Sequence, residues 1–354
     1  MKNVALITEY GNVNIGNKLQ NYAVKALCEK KGWHTVTFEY KSDYERVKNW
    51  QKIIAFLGFP KTRAIKYRMK IKRIKRFKQF SDKYLGETVK VRMNHIKKGL
   101  IRRYDLFLVG SDQVWHEADN TRLDYFFLKF APQNKRGCIS PSFGTEFIHE
   151  SYKTIYKDGL LGFTELCCRE IQGCRIIKEL TGKDAELLLD PTLLVGRQVW
   201  DKIELRPNIF PSKDYVLIYF LGEQDNETNE FVCNYANENN LEIVKIYSFD
   251  YPNYYSISPN EFIYLVKHAQ IIMTDSFHGT AFSILYEKSF IAFKRKNKDG
   301  RAIMSSRIET LVDKFELVSK DSERLYVDAY DHDNIERILN NEILKVKSWL
   351  DKYN

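Results

Sequence analysis

The chain has 354 residues, 44% of them hydrophobic and 29% charged, with 17 Gly and 8 Pro, a composition that excludes a disordered or fibrous protein. At this length folding buries roughly 75% of the unfolded surface, so the core needs no disulfide or metal support, and two domains are expected. The 56 Lys plus Arg against 46 Asp plus Glu give a net charge of +10, but thirteen of those cations lie between Arg46 and Ser81 among no acids; the rest of the chain stands at −3, which gives no reason to expect a nucleic-acid coat.

Val4 to Ile7 predicts a buried strand, followed by a Gly- and Asn-rich turn from Gly11 to Gly16 and a helical pattern through Leu19, Tyr22, Ala23, Ala26 and Leu27. Thr35–Phe38, Asp105–Val109 and Gly137–Ser140 are further continuous apolar runs, most of them separated by helix-length polar stretches, the spacing of a parallel α/β sheet. Ala185–Leu189 and Asp190-Pro191-Thr192 close this half. Arg206-Pro207 and Phe210-Pro211 mark a linker at 195–212. The second half repeats the logic with strands at Tyr215–Leu221, Leu241–Ile246, Ile271–Thr274 and Phe290–Phe293, and ends in an amphipathic helix from Asn334 to Lys352. Six cysteines, three of them at Cys167, Cys168 and Cys174, read as cytosolic thiols; no His or Cys pair at ligand spacing follows, so no metal is expected. The longest apolar run, near Ile53–Phe59, falls far short of the ~20 residues of a spanning helix, and no signal peptide is expected.

Three segments can carry chemistry. Gly11 to Lys18 has the two glycines of a phosphate loop, but Asn17 and Leu19 stand where Lys and Ser or Thr belong, so it fails as a nucleotide triphosphate site. What remains is either a plain strand-to-helix turn or a loop whose backbone N–H groups hold an anion or a sugar hydroxyl. Gly110-Ser111-Asp112-Gln113-Val114-Trp115 follows a buried strand, where open parallel sheets put their ligands; Asp112 either accepts a hydroxyl proton or caps the next helix. Thr274-Asp275-Ser276-Phe277-His278-Gly279 also follows an apolar strand, and His278 is placed either for acid–base work or as a structural imidazole. Arg169 and Arg307 each add a guanidinium able to grip a carboxylate or phosphate; the alternative for either is a surface charge.

In order along the chain, GNVNIGNKLQ (residues 11–20), GSDQVW (110–115), Ser142-Phe143-Gly144, Arg169-Glu170, Asp190-Pro191-Thr192, TDSFHG (274–279) and Ser306-Arg307-Ile308 resemble the polysaccharide pyruvyl transferase family. The resemblance implies two Rossmann-like α/β/α domains in a glycosyltransferase-B-like arrangement with a cleft between them. Residues 1–195 would form the acceptor side, with a basic helical insertion at 46–81, 212–330 the donor side, and 331–354 the terminal helix. It also implies transfer of a pyruvyl group from phosphoenolpyruvate to a sugar diol, giving a pyruvate ketal on a surface-polysaccharide precursor and releasing phosphate. No cofactor is implied; phosphoenolpyruvate is a substrate. Carried over by position, His278 lies near the enol carbon, Arg169 on an anionic group of the donor, and Arg307 acts as a second clamp, with Ser276, Phe277 and Gly279 as further donor contacts. A protonated His278 would supply the proton that C3 needs, and Asp112 is the candidate base for the acceptor hydroxyl. Asn14, Gly16, Asn17, Lys18 and Gln113 are the candidate acceptor-binding residues.

The sequence departs from the family pattern at three places. Ser276 stands where some members have Arg, so Lys294, Arg295 or Arg301 must replace a phosphate ligand; His116 replaces the usual Asn; and Ile139-Ser140-Pro141 replaces small non-proline residues before Ser142. Between Lys61 and Phe80, cations alternate with Ile65, Tyr67, Met69, Ile71, Ile74, Phe77 and Phe80, which predicts a basic helix. It is either a solvated helix packed by one narrow face, a contact to anionic lipid suited to a lipid-linked glycan acceptor, or, as a third option, a nucleic-acid contact with no reading module to support it. The expected location is cytoplasmic, peripheral on the inner face of the plasma membrane. Two competing readings stay open. One is a glycosyltransferase using a nucleotide sugar, with Arg169 and Arg307 on the diphosphate; the other is a non-catalytic basic adaptor.

Overall fold

Val4-Ala5-Leu6-Ile7 offers no polar residue to either face of a pleat, so it requires cover on both sides, and all four side chains are completely buried. The structure is a computed structural model and describes residues 1–354 apart from 12, 41–60, 94–95, 117–121, 297–301, 304–305 and 321–323. The chain forms two units, Met1–Pro191 with Tyr353, and Thr192–Lys352 with Asn354.

The first unit is built on strands β1 (Asn3–Ile7), β2 (His34–Tyr40), β3 (Thr88–Val91), β4 (Leu106–Val109) and β5 (Arg136–Cys138), in the order β3-β2-β1-β4-β5 and parallel throughout. Val4 pairs with Thr35 on one side and Leu106 on the other, so the strand order reverses beside β1. Open α/β sheets gather ligands outside the carboxyl ends of the strands at such a switch point. The Gly11–Gly16 turn leaves β1 there and the Gly110–Trp115 segment leaves β4. Helix α1 (Ile15–Lys30) follows β1, and helix α2 (Lys61–Phe80) precedes β3. The basic insertion is therefore helical over 61–80, while its residues 46–60, with the Ile53–Phe59 run, lie outside the described residues. A short pair, β6 (Cys167–Cys168) and β7 (Glu186–Leu187), flanks helix α3 (Ile171–Thr181). Tyr353 belongs to this unit: its hydroxyl accepts the Cys138 N–H at 3.3 Å, and a side chain at Gly137 would meet its ring.

The second unit holds β8 (Tyr215–Tyr219), β9 (Glu242–Lys245), β10 (Ile271–Thr274), β11 (Ser289–Ala292) and β14 (Leu325–Val327), ordered β14-β11-β10-β8-β9, with only β14 antiparallel. A two-stranded ribbon, β12 (Arg295–Lys296) and β13 (Ala302–Ile303), lies between β11 and β14 in sequence. Val216, Ile218, Ile271, Met273 and Ile291 pack on Val232 and Ala236 of helix α4 (Asn226–Glu238). Helix α5 (Pro259–His268) starts with a capping box between Ser258 and Glu261. The switch point of this sheet lies between β8 and β10, and helix α6 (Phe277–Leu285) leaves β10 there. Helix α7 (Ser306–Lys314) is tied by Lys314 to Glu342 of the terminal helix α8 (His332–Asp351) at 2.6 Å, so α8 is part of the second unit.

The division between the units falls after Pro191. The sequence reading ended the first domain at 195 and gave 195–212 to a linker. The difference has a packing cause: Trp200 is buried against Phe282 of α6, ring centroids 5.1 Å apart, and donates its indole N–H to Thr192 O at 2.9 Å. β3 and β14 are edge strands that the sequence does not predict: Thr88 and Lys90 alternate with valines in β3, and β14 is only the three residues Leu325-Tyr326-Val327. Among the described residues no helix is long and apolar enough to cross a membrane.

Candidate functional site

In the first unit, five of the sequence motifs meet in one buried polar network. Asn14 caps α1 by accepting the Asn17 N–H, which turns Asn17, Lys18 and Gln20 toward the switch point. The Gln20 amide donates to Thr8 Oγ1 at 2.5 Å and accepts the Ser111 N–H at 3.1 Å, so α1 is pinned to the ends of both β1 and β4. Gly110 has φ +118 and lies so close to Ile139 O that no side chain could occupy its place. Asp112, itself at φ 73, accepts from Asn17 Nδ2, from the Gln113 N–H at 2.9 Å and from Arg169 Nη2 at 2.9 Å.

Arg169 is the hub. Its guanidinium is fully enclosed: Nη1 donates to Asp190 Oδ2 at 2.5 Å, Nη2 to Asp112, and Nε lies 3.8 Å from Glu170 Oε2. Burial alone would pull its pKa down, but the charges of Asp112, Asp190 and Glu170 outweigh that and raise it further, so it remains a cation. Ser111 Oγ lies 2.9 Å from both Asp190 Oδ2 and Ser140 O. Glu170 Oε1 accepts from Ser142 Oγ at 2.9 Å and from the N–H groups of Phe143 at 2.9 Å and Gly144 at 3.3 Å, fixing the Ser-Phe-Gly loop. Gly144, at φ +61, leaves room for the Gln113 amide.

Two expected site residues lie inside this network. Arg169, expected on an anionic group of the donor, is enclosed by carboxylates of its own chain. Asp112, expected either as a base or as a helix cap, orders Asn17, Gln113 and Arg169 through its carboxylate, and among the described residues no helix begins at that point. Of the acceptor candidates, Asn14 is spent on the cap and Gly16 is buried in the first turn of α1. Lys18 donates to Tyr10 O and lies over the Tyr10 ring, 4.3 Å from its centroid. Desolvation lowers the Lys18 pKa to about 8, against the opposing pull of Glu39.

In the second unit the TDSFHG segment builds a helix start. Thr274 Oγ1 donates to Tyr219 O at 2.5 Å and accepts the Ser276 N–H at 3.0 Å. Ser276 is the N-cap of α6: its hydroxyl accepts the Gly279 N–H at 3.4 Å and its carbonyl the Thr280 N–H at 3.0 Å. Ser276 is thus occupied by the helix. Gly279 is required because a Cβ there would collide with Thr274. His278 sits in the first turn, 6% exposed, its ring edge-on to Phe277 at 5.3 Å between centroids. The Arg307 guanidinium lies over the Phe277 ring at 5.8 Å. Asp275 accepts from the N–H groups of Leu221 at 2.7 Å and Gly222 at 2.9 Å, joining the ends of β8 and β10, and holds Arg295, whose Nε donates to Oδ2 and Nη2 to the Asp275 carbonyl, each at 3.0 Å. Arg295, one of three candidates to replace the cation missing at Ser276, is therefore tied beside the helix start with 43% of its side chain exposed. Lys294 is exposed, and Arg301 lies outside the described residues. Asp275 was not singled out in the sequence, although an acid directly after a buried strand at a switch point was the available signal.

Arg307 lies over the ring of Phe277 in the first turn of α6, and Arg295 stands beside the same helix start with its charge opposed by Asp275. The fold has counterparts among solved structures. The chain aligns over 99% of its length with 90% of a putative UDP-N-acetylglucosamine 2-epimerase from Listeria monocytogenes, at a TM-score of 0.54 and 9% identity. It also aligns over 99% of its length with 100% of a UDP-GlcNAc 2-epimerase from Neisseria meningitidis, solved bound to UDP-GlcNAc, at a TM-score of 0.50 and 10% identity. At such identities the likeness shows the fold alone, and that fold is the two-unit Rossmann-like class of glycosyltransferase-B type expected from the sequence. No curated protein matches the chain. The family model described as polysaccharide pyruvyl transferase matches residues 14–297. The chain belongs to the polysaccharide pyruvyl transferase family.

Proposed function

We propose that the protein transfers a pyruvyl group from phosphoenolpyruvate to two hydroxyls of a sugar in a surface-polysaccharide precursor, forming a pyruvate ketal and releasing phosphate. The observation that carries this reading is the α6 start, where the TDSFHG motif puts buried His278 in the first turn of the helix and Arg307, from a second motif, lies over the neighbouring Phe277 ring. The donor carries a carboxylate and a phosphate, and a helix N-terminus with a guanidinium beside it suits an anion.

The chemistry follows from the donor. Protonation of C3 by the imidazolium of His278 makes C2 electrophilic, and an acceptor hydroxyl bonds to C2 as its proton leaves. A second hydroxyl then displaces phosphate and closes the ring, its proton passing to the imidazole left neutral when His278 protonated C3. Asp112 is the candidate to take the acceptor proton. Its carboxylate is held by Arg169 at 2.9 Å. Asn17, Lys18 and Gln113 are the acceptor-side contacts of this reading. The acceptor is a glycan held on a membrane lipid, and the protein works at the inner face of that membrane.

The test is incubation with phosphoenolpyruvate and lipid-linked or nucleotide-linked glycans, following phosphate release and the mass of the glycan. A glycan that gains a pyruvate ketal in step with phosphate supports the reading. Phosphate release never coupled to a glycan, or sugar transfer from a nucleotide sugar, overturns it.

A further inference from the structure

Helix α2 presents two different faces. Its inner face is fixed to the first unit: Phe77 and Phe80 are buried, Arg73 donates to Val13 O at 2.5 Å, and Phe80 meets Tyr84 at 5.0 Å between ring centroids. Ala64, Tyr67, Ile71 and Ile74 recur at intervals of three, four and three residues, so at a turn of about 100° per residue they line one stripe centred about 100° from Phe77 and about 160° from Phe80, with Ile74 at its edge nearest Phe77. Ile71 and Ile74 are each 47% exposed, although packing has inner positions available on the same helix. Arg63 and Lys70 border this stripe on one side, Arg68 and Lys75 on the other, and all four are exposed. No acid occurs from Lys61 to Phe80; the next, Asp82, is paired with Lys78 at 2.5 Å.

We propose that the outer face of α2 is a docking surface for an anionic lipid bilayer, with Tyr67, Ile71 and Ile74 entering the headgroup–acyl boundary and the flanking cations meeting lipid phosphates. An apolar stripe between two rows of cations is the pattern of a helix lying in the interface plane. Charge complementarity selects the occupant. A second copy of the helix would set cation rows against cation rows. A nucleic acid would satisfy the cations and leave the isoleucines in water. The inference does not depend on the donor assignment.

Flotation of the full chain with vesicles tests it, using phosphatidylcholine alone and phosphatidylcholine mixed with phosphatidylglycerol. Two variants accompany the wild type: Ile71→Ser/Ile74→Ser for the stripe and Lys70→Gln/Lys75→Gln for the charge. Both change exposed positions, and unchanged thermal unfolding confirms that they fold. The expected result is binding only to the anionic vesicles, weakened about tenfold or more by either double substitution and by raised salt. Four results would each overturn the proposal: equal binding to neutral vesicles, no binding to anionic ones, stripe substitutions that leave binding unchanged, or a duplex oligonucleotide bound in preference to the vesicles. Dimerisation lost in the stripe variant would overturn it in favour of a second copy.

Discussion

The Arg169 guanidinium and the Asp112 carboxylate, 57 positions apart in sequence, meet at 2.9 Å inside the first unit with the arginine side chain fully enclosed. Asp190 closes the other side of the guanidinium at 2.5 Å. A cation in that setting holds three chain segments together, and its removal leaves carboxylates facing one another without a counter-charge. Arg169→Ala is therefore expected to destabilise the first unit by about 3–5 kcal/mol. Denaturant unfolding measures this; an Arg169→Ala protein of normal stability that has lost only donor binding would restore the donor-contact role.

Gly279→Ala is the smallest change that disturbs the α6 start. The added methyl collides with Thr274, which also anchors the Ser276 N–H, so α6 must move away from β10. A loss of about 1–3 kcal/mol is expected from overpacking, together with weakened donor affinity. A calorimetric titration with phosphoenolpyruvate alongside unfolding curves separates the two effects.

His278 and Arg295 should fail differently. His278→Ala removes the proton donor and should abolish ketal formation while donor binding persists. Arg295→Gln removes one charge-assisted contact, a loss of about 1.5–3 kcal/mol, and should raise KM for phosphoenolpyruvate roughly tenfold or more with a smaller change in kcat. Equal losses of kcat in both variants at unchanged KM would place Arg295 in the chemical step.

Lys18 gives the first unit a pH signature. Its folded pKa of about 8 lies below the ordinary lysine value of 10.5 because burial disfavours the charge. Below pH 8 the amine is charged in both states and the desolvation cost is present in full. Between pH 8 and 10.5 the unfolded chain binds more protons than the folded one, so this group's contribution to stability rises with pH. The stability of Lys18→Met minus that of wild type should therefore fall across that window, by up to about 3 kcal/mol. A flat difference would contradict the depressed pKa.

The central strands were legible because burial on both faces leaves an unbroken apolar run, as at Val4–Ile7 and Ile271–Thr274, whose ends agree within a residue or coincide. β3 and β14 were not, since Thr88 and Lys90 interrupt the one and three residues are too few to mark the other. At the site, the sequence placed TDSFHG after an apolar strand, but the start of α6 at Phe277, with Ser276 as its cap, emerged only from the fold. Nor was the meaning of Arg169 legible: a guanidinium on a ligand and one closed among carboxylates look the same in sequence. Only folding brings Asp112 and Asp190 to it from distant segments. The same holds for Arg295, a candidate among three until Asp275, twenty positions earlier, fixed its place.

The most direct test of the account is thermal unfolding of the wild type, Arg295→Gln and Arg307→Ala with phosphoenolpyruvate, inorganic phosphate, UDP and UDP-sugars in turn. A ligand that binds only the folded state raises the melting temperature, and no acceptor is needed. The account predicts a rise with phosphoenolpyruvate that exceeds the rise with phosphate and shrinks in both variants, with none from UDP. Stabilisation by UDP or a UDP-sugar without any from phosphoenolpyruvate would contradict it and favour a nucleotide-sugar glycosyltransferase.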